Sequence, residues 1–220
     1  SGGIAQFVQK LHAAPVQDVG VDAVSSAYKR KKGRSAPSNL FATTATLWGA
    51  AREGFSKPPG PLFEYLTGDD AFGDEVVRVE IPFATGSKSS YAYDPASKTW
   101  KRSQNGAAHV TAAGRQIAPG NVVIQFVLQR TLNVRDAAGN RVPESIVTGE
   151  GEAWLLTRGR IVKGRWVKGD DRTPTRFLDA FGGPFRLSPG STWVHLVPVG
   201  IEVDLTAPAP KATTTTTKKR

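Results

Sequence analysis

The 220-residue sequence has no cysteine, no methionine, only three histidines, and no apolar run long enough to cross a bilayer. Each shortage excludes a chemistry. Without Cys there are no disulfides, thiolate metal ligands or thiol nucleophiles. His12, His109 and His195 are far apart and match no ligand spacing such as His-Glu-x-x-His, so neither a metal nor a cofactor is expected. Neither a Gly-x-Ser-x-Gly elbow nor a Gly-x-x-x-x-Gly-Lys phosphate loop occurs, which removes the usual signatures of serine hydrolases and nucleotide-driven enzymes. The longest apolar stretches, 122–128 and 193–199, suit buried strands, whereas a spanning helix needs roughly 20 residues. With no initiator Met, Ser1 is expected to be an internal boundary, with a signal peptide, a lipidated segment or further chain upstream.

What is present is a hydrophobic content of 39%, ample for a core, and a net charge of +10. That charge is spread out. Residues 1–40 carry six basic and two acidic side chains, 41–80 three and seven, 81–206 sixteen and ten, and 207–220 four and none. The densest run, Tyr28-Lys29-Arg30-Lys31-Lys32-Gly33-Arg34, reads as a solvated turn and loop. Nucleic-acid binding therefore ranks last, because a dedicated binder concentrates its charge on one face.

Along the chain, Ile4, Phe7, Val8 and Leu11 repeat at helical spacing, and Thr43 or Thr44 is placed to cap a second helix through Leu47, Trp48 and Arg52, ending near Gly54. From Val76 the period changes to two. Val77, Val79, Ile81 and Phe83 alternate as in a half-buried strand. Residues 91–93 and 99–102 flank Asp94-Pro95-Ala96-Ser97 as a hairpin, and Asn105-Gly106 begins another turn. A long apolar strand over 121–129 is expected to be central, 150–157 and 160–168 flank Arg158-Gly159 as a further hairpin, and 191–198 closes the series. The reading is α+β: a partial, helix-containing segment over 1–75, a predominantly antiparallel β domain over 76–206, and a disordered Thr/Pro/basic tail over 207–220.

Two constellations can be weighed. In the first hairpin Tyr91, Tyr93, Trp100 and Arg102 share a face, with His109 brought opposite Arg102. Aromatic faces beside cationic and imidazole groups suit a sugar, peptide or base, although the same face also serves as a core. In the later hairpin Glu150 and Glu152 share a face and imitate a glycosidase carboxylate pair. A two-residue turn at Arg158-Gly159 instead sets Glu152 opposite Arg165 and Trp154 opposite Lys163, explaining them by cross-strand pairing. The other face then carries Leu155, Val162 and Trp166, with Gly151 and Gly164 leaving room for the indole.

In order and spacing, one series of short patterns resembles the C-terminal domain of the YerB-like bacterial envelope lipoproteins, a family of unknown function. These are 91–94, Trp100-Lys101-Arg102 with Gly106 and His109, Asn121-Val122-Val123, and Gly149 with Gly151. They continue as Gly159, Gly164-Arg165-Trp166 with Lys168, Asp179 with Gly182, and Ser188-Pro189-Gly190-Ser191-Thr192-Trp193-Val194. Ser1-Gly2-Gly3 and 34–41 resemble two motifs from the later part of that family's N-terminal domain, whose beginning is absent. Ser38 stands where the family pattern has His, so a site built on that His is not available. The resemblance implies an extracytoplasmic, membrane-tethered protein and no established chemistry.

The expected function is a non-catalytic envelope module. Its partners would be an envelope protein or an anionic cell-wall polymer, and a separate upstream fragment of the same protein could complete it. Tyr91, Tyr93, Trp100, Arg102 and His109 are the candidate binding residues, with no catalytic residue assigned. The alternative is an envelope enzyme acting on glycan or peptide through Glu150, Glu152 or Asp179.

Overall fold

The structure is a computed structural model that describes residues 9, 11, 16–36, 38–55, 57, 60–68, 72–84, 86–135 and 139–209. Of the expected helix over 4–11 only residues 9 and 11 are described, both helical, and the rest of it and the end of the Thr/Pro tail lie outside the described residues. The chain divides into two compact units, one formed by Ser1–Leu62 with Asp136–Asn140 and Gly169–Pro174, the other by Phe63–Arg135, Arg141–Lys168 and Thr175–Arg220.

In the first unit a short 3₁₀ turn, Ser25–Ala27, leads into strand β1 (Tyr28–Arg30), which pairs antiparallel with β2 (Leu40–Ala42). Three of the seven residues of the expected basic loop are thus a strand. The Phe41 ring lies beneath Lys31 and Arg34, at 5.8 and 5.7 Å, an aromatic contact that the run of charges did not announce. Helix α1 (Thr44–Gly49) starts where Thr43 accepts the Thr46 backbone N–H in a capping box. It is shorter than expected. The Arg52 N–H is donated to Gln17 Oε1 at 2.8 Å, so residues near the expected helix end bond to another segment instead of extending the helix.

The second unit is β-rich and mostly antiparallel. Its smaller sheet has the order β16 (Asp204–Thr206), β5 (Arg78–Ala84), β6 (Ser87–Asp94), β7 (Thr99–Gln104), β8 (Ala107–Ala108). The larger sheet is built on β9 (Asn121–Arg135), which is flanked by β10 (Arg141–Ile146) and then continues through β11 (Gly149–Thr157), β12 (Arg160–Lys168) and β13 (Arg176–Asp179). β15 (Thr192–Pro198) joins the other side of β9, and β4 (Asp74–Glu75) adds to β12. A small pair, β3 (Glu64–Tyr65) with β14 (Arg186–Leu187), is parallel. So is β15 with β9, because the intervening hairpins return the chain to the end of the sheet from which β9 starts.

The continuous apolar run of β9 follows from burial on both faces. Val122, Ile124 and Phe126 enter one cluster with Val79, Ile81, Tyr91 and Trp100 of the smaller sheet, while Val123 and Val127 enter a second with Leu155, Trp166, Phe177 and Leu187. Burying one such aliphatic side chain is worth roughly 1.5–3 kcal/mol. Two glycines make this packing possible. A Cβ at Gly151 would lie 2.6 Å from Trp166 Nε1, whose N–H is donated to the Phe126 carbonyl at 2.7 Å. Gly164 does not face the indole as expected: a Cβ there would sit 2.0 Å from the Leu178 carbonyl oxygen, so this glycine admits the neighbouring strand β13.

Candidate functional site

The register of the first hairpin is as the turn residues require, with Tyr91 opposite Arg102 and Tyr93 opposite Trp100. Tyr91 and Trp100 are completely buried, at 0% exposure, and Tyr93 packs on Trp100 with ring centroids 5.1 Å apart. These three aromatics fill the space between the sheets, so Tyr91 and Trp100 offer no surface on which a ligand could stack. Arg102 is also enclosed. What reaches the surface from this set is Tyr93 and His109, both half-buried, and His109 is joined by a residue the hairpin pattern could not supply, Trp193 of β15.

Around Arg102 these elements build a polar network inside an apolar shell. Its Nε donates to Tyr91 Oη at 3.2 Å, and its Nη2 donates to Ser89 Oγ at 2.8 Å and to Gln104 Oε1 at 2.6 Å. Nη1 bonds His109 Nδ1, and the His109 backbone N–H is donated to the Arg102 carbonyl at 3.0 Å. Tyr91 Oη, which takes the Arg102 proton, lies 2.7 Å from His195 Nε2. The indole of Trp193 covers the guanidinium at 4.6 Å. None of these side-chain partners is a carboxylate, so a cation is held in the interior by hydrogen bonds and a π face. Burial, reinforced by the Arg102 charge, lowers the His195 pKa to about 4, and burial pushes the Tyr91 hydroxyl well above its usual range.

The carboxylates occupy structural positions. Glu152 is opposite Arg165 in register, as expected, yet the ion pair of Arg165 is made with Glu150 at 3.0 Å, and Glu152 Oε1 instead accepts the Trp154 Nε1 proton at 2.6 Å. Lys163 lies 4.5 Å over the Trp154 ring, the expected cation–π contact. Asp179 accepts the backbone N–H groups of Phe181 and Gly183, both at 2.9 Å, and shapes its own turn. Among the described residues no group of three or more His, Asp or Glu is placed to hold a metal ion, and no helix is long and apolar enough to cross a membrane.

The family model for the C-terminal domain of a protein of unknown function, DUF3048, matches residues 79–194, from β5 into β15. The chain belongs to the DUF3048 family. Arg102, His109 and Trp193 all fall within the matched DUF3048 segment. The crystal structure of YerB protein from Bacillus subtilis is similar over 92% of this chain and 67% of that one, with a TM-score of 0.68 at 20% identity, which shows a shared fold. No curated protein matches. The YerB-like character expected from the Trp100, Gly164-Arg165-Trp166 and 188–194 patterns is thereby shown.

Trp193 and His195 could not be reached from the hairpin pattern. The signal was there only in part: residues 193–199 read as a buried strand, and period two put Trp193, His195 and Val197 on one side of it. Nothing in that period says which sheet the side faces.

Proposed function

We propose that this DUF3048 chain is an extracytoplasmic module of the bacterial envelope that acts by binding a protein or cell-wall partner without catalysis, through the surface at His109 and Trp193. The observation that carries the reading is the Arg102 guanidinium. It is fixed from behind by Tyr91, Ser89 and Gln104, covered by Trp193 at 4.6 Å, and joined to half-exposed His109. A cation this rigid costs little further ordering when its aromatic and imidazole neighbours meet a partner. Tyr91, Tyr93 and Trp100 act as its support. The enzyme alternative gains nothing from Glu150, Glu152 or Asp179, whose oxygens serve an ion pair, an indole and a turn.

The test is recovery from an envelope extract and from purified cell wall, using the full chain beside Trp193→Ala and His109→Gln. One stoichiometric partner retained by the parent and lost by both variants supports the reading. Equal recovery by all three, or none at low salt, overturns it.

A further inference from the structure

A cleft of about 370 Å³ opens beside the start of β15, between the turn carrying Ser97, Lys98 and Thr99, the side chain of Arg158, and the 188–191 loop. The 188–191 loop is anchored by buried polar groups behind it. Asn121, with no exposed surface, accepts the Ser188 N–H at 2.9 Å and the Thr157 hydroxyl at 2.8 Å, and its amide donates to the Ser188 carbonyl at 2.9 Å and Thr192 Oγ1 at 3.2 Å. Arg158 Nε is clamped against Ser188 Oγ at 3.1 Å. The loop is therefore fixed before any ligand arrives.

The residues lining this cleft include two bases and no acid. Asp94, the acid of the same turn, is held by Lys101 at 2.9 Å and by Ser97 Oγ at 2.9 Å, and Lys98 has no ion pair among the described residues. The backbone adds a second observation. Lys98 and Arg158 have φ of 55° and 50°, and with Asn105 they are the non-glycine residues found in this region among those described. Gly, Asn or Asp normally takes such turn positions, because a longer L side chain is strained there. Here two basic side chains take them, and both line one cleft.

We propose that this cleft binds the phosphate group of a phosphate ester of a sugar or polyol, with Lys98 as the ammonium that meets it. Ser97 donates its hydroxyl to Asp94 at 2.9 Å and bonds Thr99 Oγ1 at 2.7 Å, and Ser188 Oγ already meets Thr157 and Arg158, so the cleft offers a ligand the Lys98 ammonium from the turn and the Ser191 hydroxyl from the 188–191 loop. A tetrahedral anion with acceptor oxygens on several sides suits an ammonium and a hydroxyl arriving from two separate segments, whereas a planar carboxylate suits a single fork. The volume is within the range of small-ligand pockets and leaves room for the organic part of an ester beside the phosphate. The proposal stands apart from the His109–Trp193 surface.

Amide chemical shifts of the full chain, followed at constant ionic strength during titration with inorganic phosphate, glycerol 3-phosphate and poly(glycerol phosphate), test it. Saturable shifts are expected at residues 97–99 and 188–191, and Lys98→Glu should weaken binding at least tenfold. Lys98→Asn separates structure from ligand: it suits the turn better and should raise Tm while losing the phosphate response. A polymer that binds more tightly than the monoester identifies a polymeric source, and the reverse order a small ester; either result supports the site. No shifts with any of the three, unchanged binding in both Lys98 variants, or acetate moving the same amides as strongly would overturn it. Trp193→Ala should leave the phosphate response intact, so this site and the partner surface fail independently.

Discussion

Tyr91 on β6 and His195 on β15 are 104 residues apart in sequence and share a hydrogen bond of 2.7 Å that joins the smaller sheet to the larger one. The hydroxyl oxygen takes the Arg102 Nε proton at 3.2 Å, and the hydroxyl proton goes to His195 Nε2, which leaves the imidazole neutral with its own proton on Nδ1. Tyr91→Phe therefore strips a partner from two buried groups at once. Leaving buried groups unsatisfied costs about 1–3 kcal/mol each. A loss of about 2–4 kcal/mol is expected in urea denaturation, with little change in the slope.

His195 also sets an acid limit. Its folded pKa, about 4, is below the ordinary 6.5, so between these values the unfolded chain binds the proton and the folded chain does not. Its contribution is fully present above pH 6.5 and is lost as pH falls toward 4, amounting to about 3 kcal/mol across that window. The groups nearest the ring are Tyr91, Arg102, Phe83 and Trp193, none of them a carboxylate or a second imidazole. The depressed carboxyls of Asp94 and Glu80 act only below their ordinary values, under about pH 4.5. His195→Gln should flatten the stability profile between pH 6.5 and 4.5, as measured by denaturation at each pH; an unchanged slope would contradict the assignment.

Much of the fold was legible from local chemistry. Alternation announced the hairpins; Asn105-Gly106 and Arg158-Gly159 fixed their turns, and register then placed Glu152 opposite Arg165 and Trp154 opposite Lys163. The site was legible only in half. His109 meeting Arg102 is a contact across one turn and follows from register. Trp193 over Arg102 and His195 on Tyr91 depend on which face of β9 the smaller sheet covers, and period two cannot decide that. The parallel placement of β15 was hidden for the same reason, since strand patterns carry no direction. Glu150, not Glu152, reaches Arg165 because the indole N–H of Trp154 claims Glu152.

Two glycines differ in what they must admit. Gly164→Ala would press a Cβ to 2.0 Å from the Leu178 carbonyl, a backbone atom that moves only if β13 shifts. At Gly151 the nearest atom is Trp166 Nε1 at 2.6 Å, with the Phe126 carbonyl at 2.9 Å. Both substitutions should destabilise, by roughly 1–3 kcal/mol for overpacking, with Gly164→Ala the worse. Hydrogen exchange should show the difference directly: Gly164→Ala should deprotect 176–179, and Gly151→Ala should not.

The Glu150–Arg165 pair is exposed on both sides, with 69% and 53% of each side chain accessible, so Glu150→Gln should change stability by less than about 1 kcal/mol. Thermal denaturation checks this. A much larger loss would mean that the pair does more than decorate the outer face of the β11–β12 hairpin.

The absence of cysteine gives the most direct test of the partner surface, because a single introduced thiol is unique in the chain. Ala108→Cys is exposed beside His109, and Glu150→Cys is exposed on the β11–β12 hairpin. Each carries a thiol-linked photo-crosslinker and is irradiated in the presence of intact envelope. One discrete adduct is expected from position 108, abolished by adding Trp193→Ala, and none from position 150. No adduct at 108, or the same adduct from both positions, would contradict a partner surface at His109 and Trp193.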